Sequence, residues 1–532
     1  MDTVTARVAV LGNGPVGQTT ALLLAGWGIP VVLLDRRPAR DLVGSKAICQ
    51  QRDVLDIWAA VGAGEAVAAE GVTWTTARTF YRDRELFSYR LPSPDTRLPP
   101  FVNLSQSRTE EILDERIAAQ PLIDVHWGHR VTGIEQSVDG VGIRCETAGG
   151  PSRIDAEYAV ACAGARGDDV RRMLGVGFDG QSFDDLFLIC DIRAELEGWA
   201  TERRFYFDPP WNPGRQVLIH PCPGGHFRID WQVPGDYDLG AEEGDGRLDA
   251  RVRAIIGDRP YEIAWKSVYR FHSRVADRMR AGRVLLAGDC AHLMSPFGAR
   301  GLNSGVADAE NAAWKLAYVL RGWAGPGLLE SYHDERHAAA MENLAVTSAT
   351  MDFLVPRTPE QRARRLDVLD RATRDPGAHA EVDSGRLAEP FWYTGSPLTT
   401  PDPARPFGGR PPRGTLPAAG PGMLVPDVVM PGGERLRALA RTGFLLLAAP
   451  GADIAELRSA AAASTASPVG VRLLDPETTA ALGARPGETW VIRPDAHVAA
   501  VAVAAGELVP VLRRAHGHSS TSDSPVRRTT GV

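Results

Sequence analysis

The chain has 532 residues, too many for one hydrophobic core, and its length alone argues for roughly three domains. A formal net charge of -7 excludes nucleic acid as an obligate partner, because phosphate binding needs a concentrated basic surface. The 6 cysteines (Cys49, Cys145, Cys162, Cys190, Cys222 and Cys290) include no CxxC and no histidine at metal spacing, which points to a reducing compartment without structural zinc.

Val8 to Leu34 carries no charged residue, yet Gly12, Gly14, Pro15, Gly17, Gly26, Gly28 and Pro30 interrupt it. It therefore predicts a strand-helix-strand unit of a cytoplasmic protein rather than a membrane span. Arg7 to Leu11 reads as the first strand, Thr19 to Ala25 as the helix, and Val31 to Leu34 as the second strand, ending in Asp35. Between them Gly12-Asn13-Gly14-Pro15-Val16-Gly17 satisfies GxGxxG in the context that gives the motif meaning. Gly12 permits the tight turn, Gly14 lets backbone approach a pyrophosphate, and Gly17 lets helix pack closely on strand. Asp35 sits where a carboxylate accepts the hydroxyls of an adenosine ribose. Arg36, Lys46 and Arg52 follow as positive charge that a diphosphate can recruit, with plain surface charge as the alternative for Arg36 and Arg52.

Residues 72 to 102 alternate apolar with polar and predict strands of a small inserted sheet. Ser105 to Leu113 resembles a helix start that Ser107 or Thr109 can cap, with the Gln106 amide just outside it and placed to meet a ligand. Val131 to Cys145 reads as a hairpin, and Ile154 to Ala161 as a buried strand ending in Cys162-Ala163-Gly164-Ala165-Arg166. Gly175 to Gly180 also matches GxGxxG, but it follows a charged, helix-like segment and leads into no helix, so it reads as a loop. One dinucleotide site remains. From about Phe183 to His272 several aromatic-rich strands in succession predict a mostly antiparallel sheet. One face of it can wall a pocket for a flat apolar molecule, although plain core is the commoner use of such residues.

Val284 to Ala287 is a strand that ends in Gly288-Asp289. A loop follows through Pro296-Phe297-Gly298-Ala299-Arg300-Gly301-Leu302-Asn303, and a long amphipathic helix begins near Asn303 and runs to Leu320. One fixed carboxylate beside a helix N-terminus can hold a polar, partly anionic ligand at both ends. Helical pattern continues from Gly327 to about Thr350, and the basic cluster Arg362, Arg364 and Arg365, flanked by Glu360 and Asp367, reads as a solvated helix face. Gly395 to Pro426 is dense in proline and glycine, a linker or an extended wrapping segment. Beyond it, strands at Phe444 to Ala448, Val469 to Leu474, Trp490 to Arg493 and Val498 to Val503, with a helix at Ile454 to Ala463, suggest a small α/β domain without cysteine. The tail from His516 has the composition of a disordered segment.

The glycine fingerprint, the Gly-Asp-x-x-His of Gly288 to His292 and the Pro-Phe-Gly-x-x-Gly-x-Asn of Pro296 to Asn303 resemble the class A FAD-dependent aromatic hydroxylases, which share the p-hydroxybenzoate hydroxylase fold. Leu286 to His292 and Asn303 to Leu316 look most similar to the branch of 3-(3-hydroxyphenyl)propionate hydroxylase, phenol hydroxylases and hydroxylases of aromatic polyketide and antibiotic biosynthesis. The resemblance implies a mixed α/β (α+β) architecture with a Rossmann-like FAD-binding domain at residues 1–180 and 273–395 that includes the small strands near 72–102. A mostly antiparallel substrate-binding sheet domain would occupy 181–272, a Pro/Gly-rich linker 396–426, a thioredoxin-like domain lacking CxxC 427–515, and a disordered tail 516–532.

It further implies FAD bound by Gly12, Gly14, Gly17, Asp35, Arg36, Lys46, Gln106, Asp289, Pro296, Gly301, Leu302 and Asn303. By the same resemblance Asp289 would hold the ribityl chain, and backbone N–H groups at Gly301, Leu302 and Asn303 would face the flavin N1/O2 edge. Pro296 would line the junction of flavin C4a and substrate. The implied reaction hydroxylates a phenolic or polyketide aromatic substrate through a flavin C4a-hydroperoxide, with NADH or NADPH as reductant and O2 as oxidant. Activating a phenol needs a positioned base or dipole, for which His220 and Tyr206, then His226, Tyr269 and His272, are the candidates; His292 reads instead as loop packing. No nucleic acid, membrane or metal partner is implied, and a homodimer stays open. Ala163-Gly164-Ala165-Arg166-Gly167 departs from the family's Asp-Gly-Ala-Arg-Ser, which implies slower reduction by the nicotinamide cofactor. Baeyer-Villiger oxygenation, or a non-redox cyclase or ligand carrier on the same fold, are the competing readings.

Overall fold

The computed structural model describes residues 2–41, 44, 47–91, 97–411 and 417–518. The chain divides into two units, Met1–Glu310 with His337–Glu389, and Asn311–Arg336 with Pro390–Val532. The helix Arg300–Leu320 contributes its first half to one and its second half to the other.

In the first unit, Asp2–Leu11 is flanked in parallel by Val31–Leu34 and Gly150–Ala161. Ile123–His126 and Val284–Leu286 extend the sheet in parallel at the two sides. Val31 to Leu34 is buried throughout, the continuous apolar run expected of a parallel strand covered on both faces. The helix Pro15–Gly26 lies against Gln106–Ala118, tied by Gln18 Nε2 donating to Glu110 O at 3.0 Å. The hairpin is present as Arg130–Gln136 and Val141–Thr147.

A second sheet runs in the order His292–Leu293, Tyr261–Ala276, Phe178–Ala194, His226–Val233, Gln216–Cys222, Glu202–Phe207, Thr76–Tyr81 and Arg84–Arg90. Its pairs are antiparallel except Glu202–Phe207 with Thr76–Tyr81. One face packs Phe187, Phe205, Phe207 and Leu218 with Phe297, Met351 and Leu354. The other packs Cys190, Val217, Ile219 and Trp231 against Leu248, Val252 and Ile256 of the helix Arg247–Ile256.

Several expectations change here. Thr76–Tyr81 and Arg84–Arg90 belong to this second sheet and not to a local insert of the first, because Thr76–Tyr81 pairs with Glu202–Phe207, a partner far along the chain. Phe178–Ala194 begins inside the second GxGxxG match, so only the first half of that match is loop. The cap of Gln106–Ala118 is Ser105, whose Oγ accepts the Arg108 N–H at 3.2 Å, which makes Gln106 the first helical residue. Arg365 is not on a solvated face: it is buried, ion-paired to Asp208 at 2.5 Å and set over the Phe207 ring.

The second unit has a four-stranded sheet in the order Val469–Leu473, Phe444–Ala448, Thr489–Ile492, Val498–Ala502; only the first pair is parallel. Helices Ile454–Ser464 and Pro476–Leu482 connect its strands, and Ala505–Ala515 follows the last. The proline-rich segment wraps onto this sheet, with backbone hydrogen bonds from Gly422 N to Val498 O at 2.7 Å and from Thr400 N to Ala499 O at 2.8 Å. His516, expected in the tail, is buried: its ring stacks on Phe444 at 4.2 Å and bonds Ser467 Oγ at 2.9 Å. Glu335 is fully buried and receives Lys315 Nζ at 2.6 Å and both terminal nitrogens of Arg493 at 2.5 and 2.9 Å. Among the described residues no helix is long and apolar enough to cross a membrane.

Candidate functional site

Gly12 has φ of +120°, and a Cβ there would overlap Cys162 O. A Cβ at Gly17 would overlap Gly12 O, whereas one at Gly14 would meet nothing within 4 Å. Gly14 is the N-cap of Pro15–Gly26 and among the described residues no side chain caps that helix, so the first-turn N–H groups are suited to a phosphate.

Asp35, nearly buried, accepts the Asn13 N–H at 2.8 Å, the Arg37 N–H at 2.8 Å and the Arg37 guanidinium at 3.0 Å. Burial alone would raise its carboxyl; the hydrogen bonds from Arg37 and Asn13 outweigh that and hold it below the ordinary carboxylate value. Arg37 and Arg40 are what the sequence reading missed. Both donate to Asn13 O, Arg40 also to Asn13 Oδ1, and Arg40 is paired with Glu110 and Asp114. Arg36 is exposed, and Arg52 Nε is engaged by Leu98 O at 3.1 Å. Lys46 lies outside the described residues. Gln106 Oε1 accepts the Ala47 N–H at 3.3 Å while its Nε2 donates to Glu110 at 2.8 Å.

The two distant motifs meet at Val16. Its Cγ2 would lie 3.0 Å from a Cβ on Gly288 and 2.7 Å from one on Gly305, so only glycines let the helix starts and the Gly-Asp turn approach this closely. Asp289, in the short turn Gly288–Cys290, is exposed beside that contact. Pro296 is exposed and accepts the Ala299 N–H at 2.9 Å, which closes a turn in which Ala299 holds φ of +55°. Such backbone strain in a non-glycine residue gathers at functional sites. At Gly301 a Cβ would meet nothing within 4 Å, and Leu302 is partly exposed. The Asn303 amide is used by protein: Oδ1 accepts the Gln51 N–H and Nδ2 donates to Cys49 O, both at 3.0 Å. Asn303 therefore has only backbone to offer a ligand. Two open glycine positions at helix starts, an exposed carboxylate and a buried one fit a dinucleotide whose phosphates and ring edge carry negative charge.

The sheet candidates separate. Strand alternation puts Tyr206 on the face that packs Trp231, stacked on Phe80 at 4.5 Å, and His220 on the opposite face with Phe205, Phe207 and Phe297. His226 is tied to Pro223 O at 2.9 Å and His272 to Ser182 Oγ at 2.8 Å. Ala163 is half-buried, and a Cβ on Gly167 would sit 3.0 Å from Cys290 Sγ and 3.3 Å from Ala163 Cβ.

A family described as FAD binding domain matches residues 5–347. A 3-(3-hydroxy-phenyl)propionate/3-hydroxycinnamic acid hydroxylase of Mycobacterium sp. (strain JLS) is 32% identical over 344 residues, 64% of this chain and 59% of that protein. The chain thus spans about three fifths of that relative's length. A flavin-dependent monooxygenase of Mycobacteroides abscessus is 31% identical over 392 residues, covering 68% of this chain and 78% of that one. The solved structure of the flavin-dependent monooxygenase PieE in complex with FAD and substrate superposes with a TM-score of 0.84 at 24% identity, across 97% of this chain and 99% of that chain, and so shares the fold. That family match spans well over half of the chain, and the chain belongs to the FAD binding domain family.

Proposed function

We propose that the protein is an FAD-dependent monooxygenase that hydroxylates a phenolic aromatic compound, with NADH or NADPH as reductant. The observation that carries this is the meeting of Gly12–Gly17 with Gly288–Asp289 at Val16, together with the packing of Phe297, from the loop that follows that turn, on Phe187 and Phe271 of the second sheet. Relatives named as hydroxylase and monooxygenase support it. Bound FAD supplies the redox chemistry, passing two electrons from the nicotinamide to O2, one oxygen of which enters the substrate and the other leaves as water. The first helix turn at Gly14 would take the diphosphate, Asp35 the adenosine ribose and Asp289 the ribityl chain. The N–H groups at Gly301 to Asn303 would face the anionic edge of the ring. Pro296 and Phe297 would border the substrate and keep water out.

On this reading the protein is cytoplasmic, with a homodimer open. The β-α-β-α-β-β-α order of the second unit, with its first strand central and paired in parallel to its second, supports a thioredoxin-like domain; its strands carry no cysteine. The test is a yellow purified protein whose oxidation of NADH or NADPH accelerates with phenolic compounds and gives products one oxygen heavier. Insertion products of ketones would favour the Baeyer-Villiger alternative instead.

A further inference from the structure

We propose that Asp230 receives the hydroxyl proton of the aromatic substrate and that His220 binds the same substrate oxygen. The proposal rests on the hydroxylase reading above. The register pairs His220 with Arg228 and Leu218 with Asp230 on adjacent antiparallel strands, so His220 and Asp230 are diagonal neighbours on one face, about 7–8 Å apart at Cα. That face carries Phe187, Phe205 and Phe271, which pack on Phe297, and Phe297 adjoins the exposed Pro296.

Asp230 Oδ1 and His220 Nδ1 are both buried without a hydrogen-bond partner among the described residues. Native interiors rarely leave such groups unsatisfied, and two on one patch of an aromatic-lined face are suited to a ligand with a polar oxygen. The obvious internal partner is already engaged: Arg228 makes a two-pronged bond with Asp191, 2.7 Å at both contacts. Other charged and titratable groups near the pair are Arg203 on Glu202–Phe207, Asp191 on Phe178–Ala194, Cys222 beside His220, and Tyr269 on Tyr261–Ala276. Burial pushes the Asp230 carboxyl up to about 7 against the pull of Arg228. Burial, with Arg203 and Arg228, keeps His220 neutral. A carboxyl poised near neutrality beside a neutral imidazole is the arrangement general-base work needs.

In the step, the substrate O–H bond breaks, its proton passes to Asp230 Oδ1, and the electron pair stays on the phenolate oxygen. That oxygen accepts a hydrogen bond from His220 in its Nδ1–H tautomer. The ring becomes more electron-rich and a better acceptor of oxygen, and the proton returns to the product afterwards.

The test uses holoprotein at about pH 7.5 with meta-nitrophenol, whose phenolate is yellow and which is mostly neutral in free solution at that pH, comparing wild type with D230N, D230E and H220Q at matched FAD content. At that pH wild type binds the probe as phenolate without releasing a proton to weakly buffered solvent. D230N binds it neutral, loses the acid limb of the hydroxylation pH profile and falls about 100-fold in turnover. D230E keeps the limb, and H220Q weakens binding while keeping it. Ionisation of the probe by D230N as in wild type overturns the proposal, as does loss of the limb in H220Q alone. If D230N does not fold, release of one proton per probe bound by wild type overturns it, and no release supports it. A wild type that oxidises nicotinamide with phenols while D230N is unaffected sinks only this inference; a wild type unresponsive to any phenol sinks the hydroxylase reading and this one with it.

Discussion

His292 and Asp308 form a fully buried pair, Nε2 lying 2.8 Å from Oδ2, and the same carboxylate oxygen accepts the Gly288 N–H at 2.9 Å. Asp308 therefore fixes the turn that presents Asp289, and His292 serves that carboxylate instead of the reaction. Asp308→Ala leaves the Gly288 N–H and the imidazole without this acceptor and should cost about 2–4 kcal/mol in denaturant unfolding. FAD titration of the variant should show weakened binding. Unchanged stability and FAD affinity would contradict this role.

Gly167 and Cys290 are coupled by space, since a Cβ on Gly167 meets Cys290 Sγ at 3.0 Å. Restoring the family serine with Gly167→Ser should therefore destabilise by about 1–3 kcal/mol, and Cys290→Ala in the same chain should recover most of it. Equal costs with and without Cys290→Ala would show no coupling.

Ala163 stands half-buried beside this pair. Ala163→Asp should speed flavin reduction by NADH or NADPH in stopped-flow; equal rates mean that the departure is immaterial to the reductive half-reaction.

Within the second unit, burial would raise the Glu335 carboxyl, but Arg493 and Lys315 outweigh it and hold it well below the usual carboxylate range. A folded pKa below the unfolded one means that its contribution is present above about pH 4.5 and fades as pH falls further. Glu335→Ala takes the carboxylate from buried Lys315 and leaves Arg493 with Asp495 as its remaining carboxylate; it should cost about 3–5 kcal/mol at pH 7, with a smaller gap to wild type at pH 3. A gap that does not change with pH would contradict this.

Asp230 runs the other way. Its folded value near 7 lies above that of an unfolded aspartate, so ionisation is penalised only in the fold. Its contribution is full below about pH 4 and declines as pH rises to about 7. In the absence of substrate, D230N should be more stable than wild type at pH 8, by at most about 4 kcal/mol, and no more stable at pH 4. A variant less stable at pH 8 would show that the carboxylate is satisfied.

The sequence made legible what is local and repetitive. Glycines 12, 14 and 17 sit in their strand-turn-helix setting, and Val31–Leu34 matches its predicted bounds. What it hid is pairing across distance. Nothing near Thr76 announces Glu202–Phe207 as its neighbour. Arg37 has a local partner in Asp41, four places on, and Arg40 pairs with the distant Glu110 and Asp114; both gain meaning only when Asn13 is beside them. His220 was legible as a residue type, but Asp230 was not, because its burial depends on three strands closing around it. Tyr206 alternates to the other face through one-residue register, which no list of aromatic residues conveys.

The most direct measurement is of purified protein under isotopically labelled dioxygen, with NADH or NADPH and a panel of phenols, followed by product mass. The account predicts bound FAD, nicotinamide oxidation accelerated by at least one phenol, and one labelled oxygen on that product's ring. Bound FAD with no phenol-dependent oxidation and no labelled product would contradict it.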